Sequence, residues 1–130
     1  MAAVLSFSAI LSVALGGACG AVLRYVMTVM INKDYFPYGT VIINISGSFL
    51  LGMLAAWFLN SAWPQLPDSL RLFLATGVLG GFTTFSAFSL ETMKLVQNGA
   101  VAVAAVYVTV SVVGSLAAVF LGYYVLRGWG

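Results

Sequence analysis

The sequence predicts an all-α membrane protein with four transmembrane helices per subunit. Three observations carry that expectation. The 130 residues are 62% hydrophobic and 6% charged. The mean hydropathy is +1.10. The charges, at Arg24, Lys33, Asp34, Asp68, Arg71, Glu91, Lys94 and Arg127, leave uncharged stretches at 1–23, 35–67, 72–90 and 95–126. Soluble domains carry about 25% charged residues, and a bilayer-crossing helix needs about 20 mostly apolar residues. Four such stretches use up the chain, so residues 1–130 read as one domain without a dividing linker. A membrane barrel needs strands of about ten residues that alternate apolar and polar, whereas these runs are continuously apolar.

The first span is expected at about 4–31. Its start, MAAVLSFSAILSVALGGACGA, resembles a signal peptide in its small residues. It lacks a positive leading region and runs on through Val22 and Leu23, so it reads as a retained helix. The cluster Asn32, Lys33, Asp34 closes it, and YFPYG at 35–39 suits a turn at the membrane–water interface. The second span is expected at about 39–60. Pro64 and Pro67 make the next segment a loop, with Trp57 and Trp63 near the headgroups. The third span is expected at about 69–97, with Asp68 and Ser69 as a capping pair. Asn98 and Gly99 form a tight turn. The fourth span is expected at about 100–126, with Tyr123, Tyr124 and Trp129 at its interfacial end.

A net charge of +2 with no run of Lys or Arg excludes nucleic acid as a partner. His is absent, and Cys19 is alone, which leaves it a buried apolar role. Glu91, Asp34 and Asp68 are isolated near span ends, so an enzyme is not expected. Arg71 and Arg127 fall on one side of the membrane, and Arg24, Lys33 and Lys94 on the other. That is almost no bias. Either tertiary factors set the direction, or both orientations insert and pair as an antiparallel dimer. Gly16 and Gly20 on the first span, and Gly114, Ala118 and Gly122 on the fourth, form stripes for close helix approach. Helices packed this tightly leave little lumen within one subunit.

Three polar features stand out from the apolar background. Thr40, Asn44 and Ser48 recur every four residues on the second span and so share a face. Tyr107, Ser111 and Ser115 do the same on the fourth. Such uncharged groups suit an ion that must shed water and still leave, although Ser and Thr also bond neighbouring helices. For Asn44 both readings stay open. The third feature is GVLGGFTTFSAFS at 77–89, where Gly77, Gly80 and Gly81 followed by Thr83 and Thr84 would weaken the third helix mid-membrane. Non-helical backbone at that depth must be buried in protein or face a cavity, and its freed carbonyls could ligate a small cation. Phe82, Phe85 and Phe88 follow at spacings of three. An aromatic stripe is usually core, yet a phenyl ring has a positive edge that can attract an anion.

The motifs GGACGAVLRY at 16–25, PYGT at 37–40, IN at 43–44 and GGFTTFSAFSLE at 80–91, with Tyr107, Ser111 and Ser115, resemble the Fluc fluoride channels. The resemblance implies a passive, fluoride-selective channel that exports cytoplasmic fluoride across the bacterial plasma (inner) membrane. It implies an antiparallel, dual-topology homodimer with two pores and a structural sodium ion (Na+) between the subunits. Carried over by residue, it implies that Thr40, Asn44, Phe85, Ser86, Phe88, Tyr107, Ser111 and Ser115 line the ion pathway, with Arg24 at a vestibule. Gly80 and Thr83 would hold sodium through backbone carbonyls. Two positions depart from the family pattern: Ala87 replaces a threonine and Phe82 a leucine. A small multidrug-type proton-coupled exporter is the alternative, but it needs a carboxylate in the first helix, and residues 1–23 contain none. A non-transporting assembly subunit would not require the polar stripes.

If both orientations insert, reporter tags at the C-terminus will be found on both sides of the membrane. Adding Lys at one terminus will shift the populations, at about 1 kcal/mol per charge near an anionic surface. A single orientation in every molecule would contradict the dimer expectation.

Overall fold

The computed structural model describes residues 5–128; Val4, with which the first span was expected to open, and Trp129 lie outside them. Among the described residues there are six α-helices, one π-helical stretch and no strand, only a bridge between Lys33 and Phe36. Helix α1 (Phe7–Ile31) begins at Phe7 because Ser6 is extended and its hydroxyl accepts from Ala9 N–H at 3.2 Å. Helix α2 spans Tyr38–Leu59 behind Pro37. The third span opens with the short α3 (Asp68–Arg71). Its cap is Pro67 with no side-chain bond, so Asp68 is the first helical residue and the expected Asp68–Ser69 capping pair is absent.

The third span is not a regular α-helix throughout. Residues Leu72–Leu79 are π-helical, and one α-turn follows as α4 (Gly80–Phe82). Thr83 (φ −75°, ψ 153°) and Thr84 (φ −151°, ψ 119°) are extended, and α5 (Phe85–Gln97) resumes beyond them. Gly80 is itself helical, at φ −64° and ψ −38°. Gly77 lies within the π-stretch, but Gly80 does not supply the extended backbone. The two β-branched threonines do, as their side chains favour extended geometry. Gly99, at φ 77°, makes the turn into α6 (Val101–Arg127) as the one left-handed residue described.

Helix α1 packs against the π-stretch and α4, α2 against α6, and α5 against α6. The glycine stripes sit at these seams. A Cβ on Gly20 would strike the Val78 carbonyl, and one on Gly122 the Phe49 carbonyl. Backbone meets backbone there, which is how helices associate where lipid removes the hydrophobic drive. Each long span is apolar enough to cross a membrane, and most exposed side chains are large and hydrophobic, such as Leu15, Val22, Leu116 and Phe120. Cys19 lies on this outer surface rather than in the expected buried position. The side of α1 that faces the third span is occupied by Gly16 and Gly20 instead.

Trp57 and Trp63 pack edge to face at 5.3 Å, and Trp57 Nε1 donates to Pro64 O at 3.0 Å. The 60–67 loop is thereby tied to the end of α2. The Arg71 guanidinium lies 4.5 Å above the Phe58 ring.

Gly20→Val and Gly122→Val are expected to destabilise the fold by about 1–3 kcal/mol or more, because the obstructing atoms are backbone. Gly17→Ala, whose Cβ meets nothing within 4 Å, should leave stability unchanged or raise it. Thermal unfolding in detergent measures the difference.

Candidate ion pathway

The extended residues Thr83 and Thr84 organise the polar interior. Outside a helix their backbone groups need new partners, and water is not available in a bilayer core. Asn44 on α2 supplies them. Its Oδ1 accepts Thr84 N–H at 2.8 Å, and its Nδ2 donates to Thr84 O at 3.0 Å. The Thr84 hydroxyl caps α5 by accepting Ala87 N–H at 3.1 Å, and lies 3.4 Å from the Ser86 hydroxyl. Thr83 Oγ1 turns back to donate to Leu79 O at 2.9 Å. Arg24 Nε donates to Gly81 O at 3.1 Å, placing a cation at the carbonyl end of the first limb.

An open cavity of about 500 Å³ lies beside this junction. Asn44 and Ser48 reach it from α2, Ser111, Ser115, Val112 and Leu116 from α6, and Gly80, Thr83, Thr84, Phe85 and Phe88 from the third span. No charged side chain is in the lining. The Ser111 hydroxyl is buried without a hydrogen-bond partner. Such a group costs about 1–3 kcal/mol, and it stands here at the edge of the cavity. Phe85 and Phe88 lie 5.4 Å apart with planes tilted 49°. They differ in setting: Phe85 is 77% exposed and Phe88 8%. Phe82 is buried and sits on the other side of the extended pair, near Gly47. Helical spacing therefore does not carry from Phe82 to Phe85, and the three rings do not form one stripe.

A second polar cluster lies one aromatic layer away. Phe88 stacks on Tyr107 at 5.2 Å and 27°. The Tyr107 hydroxyl donates to Glu91 Oε2 at 2.6 Å. Thr40 Oγ1 and Asn32 Nδ2 donate to Glu91 Oε1 at 3.0 and 3.1 Å. Asn32 Oδ1 also accepts Thr40 N–H at 3.2 Å. Asn32 thus ends α1 and satisfies the first turn of α2 in one residue. Phe36, in the 33–37 turn, packs edge-on against Tyr107 at 5.6 Å and closes this end.

Of the residues singled out from sequence, Asn44, Phe85, Phe88, Ser111, Ser115, Gly80 and Thr83 share the cavity. Thr40 and Tyr107 join Glu91 instead, Ser86 is exposed beside the Thr84 cap, and Arg24 holds the Gly81 carbonyl. Glu91 was expected to be isolated; it is the acceptor of three donors from three elements. Its signal in the sequence was a lone carboxylate ending the FTTFSAFSLE run one span before Tyr107. Asn32 and the capping role of Thr84 were also missed. A larger cavity of about 830 Å³ opens between the starts of α1 and the third span. Its lining mixes aliphatic residues with Asp68, Arg71 and several hydroxyls, and none of the candidate residues reaches it.

Four apolar spans, three of which line an uncharged polar cavity, define a multi-pass membrane protein. Residues 11–123 match the family described as CrcB-like protein, Camphor Resistance (CrcB), and the chain belongs to that family. A relative from Novosphingobium aromaticivorans is 50% identical over 121 residues, covering 89% of this chain and 94% of the relative. One from Methylobacterium sp. strain 4-46 is 48% identical, covering 92% and 97%, and one from Caulobacter sp. strain K31 is 46% identical, covering 91% and 94%. All three are named fluoride-specific ion channel FluC. The resemblance read from the helix motifs is thereby confirmed.

Replacing Glu91 by Ala would leave the Tyr107 and Thr40 hydroxyls without their acceptor, at about 1–3 kcal/mol for each buried group. Glu91→Gln keeps an oxygen for Thr40 and Asn32 and should cost less. Melting temperatures of the two variants should therefore rank wild type, then Gln, then Ala.

Proposed function

We propose that the chain is a passive fluoride channel of the bacterial plasma (inner) membrane, working as an antiparallel, dual-topology homodimer with two pores. The observation that supports this most strongly is the buried, unpartnered Ser111 hydroxyl in a cavity without charged side chains. Fluoride holds water tightly, so a path must offer donors in place of that shell. A Lys or Arg would hold the ion too long, whereas dipoles used in series let it leave. Ser111, Ser115, Ser48 and the second N–H of Asn44 are such donors, and the rings of Phe85 and Phe88 offer positive edges. Thr40, Tyr107 and Ser86 extend the polar track to either side. In this reading Arg24, which holds Gly81 O, supplies the positive charge of a vestibule. The names of the relatives identify the anion as fluoride. They also disfavour a proton-coupled drug exporter, as does the absence of a carboxylate in 1–23. The 77% exposure of Phe85 fits a ring that a second subunit covers.

In this reading Thr83 and Thr84 are the mid-membrane break of the third helix, and the Gly80 and Thr83 carbonyls hold a structural sodium ion. The donor chemistry fits. In a continuous helix Gly80 O would receive Thr84 N–H and Thr83 O would receive Ala87 N–H. Those donors go to Asn44 Oδ1 and Thr84 Oγ1 instead. The Gly80 and Thr83 oxygens are hard ligands left without their helical partners, and such oxygens suit alkali cations. When bound, the ion supplies positive charge that eases entry of an anion into low-dielectric protein.

A fluoride-sensitive bacterial strain lacking its own exporter provides the test. The wild-type chain should restore growth in fluoride. Phe85→Ile, Phe88→Ile and Ser111→Ala should each reduce rescue at equal membrane expression, with the ring replacements having the larger effect. Failure of the wild-type chain to rescue, or full rescue by all three variants, would contradict the proposed pathway.

A further inference from the structure

We propose that Asn44 is a positioning residue of the cation site, besides its place on the anion path; this rests on the sodium reading above. A peptide group is planar and trans, so its N–H and C=O point in opposite directions. The N–H that Asn44 Oδ1 accepts at 2.8 Å is that of Thr84, and the other end of the same peptide is the Thr83 carbonyl. Clamping one end onto α2 aims the other away from α2. The same bond withholds Thr84 N–H from Gly80 O. One side chain thus frees the first carbonyl of the site and sets the direction of the second.

The neighbouring contacts make the selection sharper. Gly81 O, the carbonyl next to that of Gly80, is held by Arg24 Nε at 3.1 Å and is not left free. Asn44 Nδ2 donates to Thr84 O at 3.0 Å, so the peptides on both sides of Thr84 are gripped by one amide. Rotation of either would break a bond to Asn44. The amide is therefore shared between the cavity, which Asn44 lines, and the backbone pair that would hold the cation. An ion bound to one site steadies the geometry of the other, and by linkage the effect is mutual.

The purified full chain in detergent provides the test, read as melting temperature in sodium chloride against N-methylglucamine chloride. The wild type should melt several degrees higher in sodium, because a ligand bound only by the folded form stabilises it. Asn44→Leu keeps the volume but removes both bonds, and should melt at the same temperature in the two salts. Asn44→Asp keeps the acceptor for Thr84 N–H and should retain most of the sodium shift. A full sodium shift in Asn44→Leu overturns the inference while leaving the sodium reading intact. Absence of a shift in the wild type overturns the sodium reading and the inference with it. If Asn44→Leu yields no folded protein, Asn44→Asp decides: loss of its shift overturns the inference, and retention supports it.

Discussion

The backbone of Thr84 has nowhere to go but Asn44, and much of the structure follows from that constraint. Two consecutive residues leave the helix inside an apolar span, and each exposed amide or carbonyl would cost several kcal/mol in lipid. A single side-chain amide on α2 satisfies both polar groups of Thr84. This ties the third span to the second and brings the Ser48 column beside the Ser111 column across one cavity. It also leaves the Gly80 and Thr83 carbonyls without their helical donors. Isolated hydrogen bonds are worth about 0.5–1.5 kcal/mol net, so the pair matters through what would go unsatisfied in its absence.

Around that junction the chain manages with very few charges. Arg24 meets a carbonyl, and Glu91 meets two hydroxyls and an amide. Among the described residues, neither has an opposite charge within ion-pair distance. The donors around Glu91 come from α6, α2 and the end of α1, so the carboxylate fastens the ends of three spans to α5. The Phe88–Tyr107 stack joins this cluster to the cavity as one layer. Rigid packing of this kind keeps uncharged donors at fixed positions, which is the condition for dipoles to replace a hydration shell.

The helical spans were legible because a bilayer demands long apolar runs, and charges at the ends of those runs show directly. The cavity was partly legible: a period of four put Asn44 with Ser48, and Ser111 with Ser115, on faces that do meet. The remaining features depend on contacts between distant segments. The π-stretch places Phe73 and Val78, five residues apart, with their carbonyls against Gly16 and Gly20, four apart. A wider turn matches two helices of unequal spacing, and Gly77 is its one signal within 72–79. Of the residues that pointed to irregular backbone, Gly77 and Gly81 are used for close approach to α1, while Thr83 and Thr84 take the extended geometry. Asn32 and Glu91 are 59 residues apart in the chain, and only the packing of α1, α2 and α5 makes them neighbours.

The most direct measurement is fluoride efflux from liposomes holding the purified protein, with a fluoride electrode outside and potassium made permeable to balance charge. Conduction through uncharged donors in a water-poor cavity predicts rapid fluoride release and little chloride release under the same gradient. Fluoride retention in protein-containing liposomes, or equal passage of chloride, would contradict it.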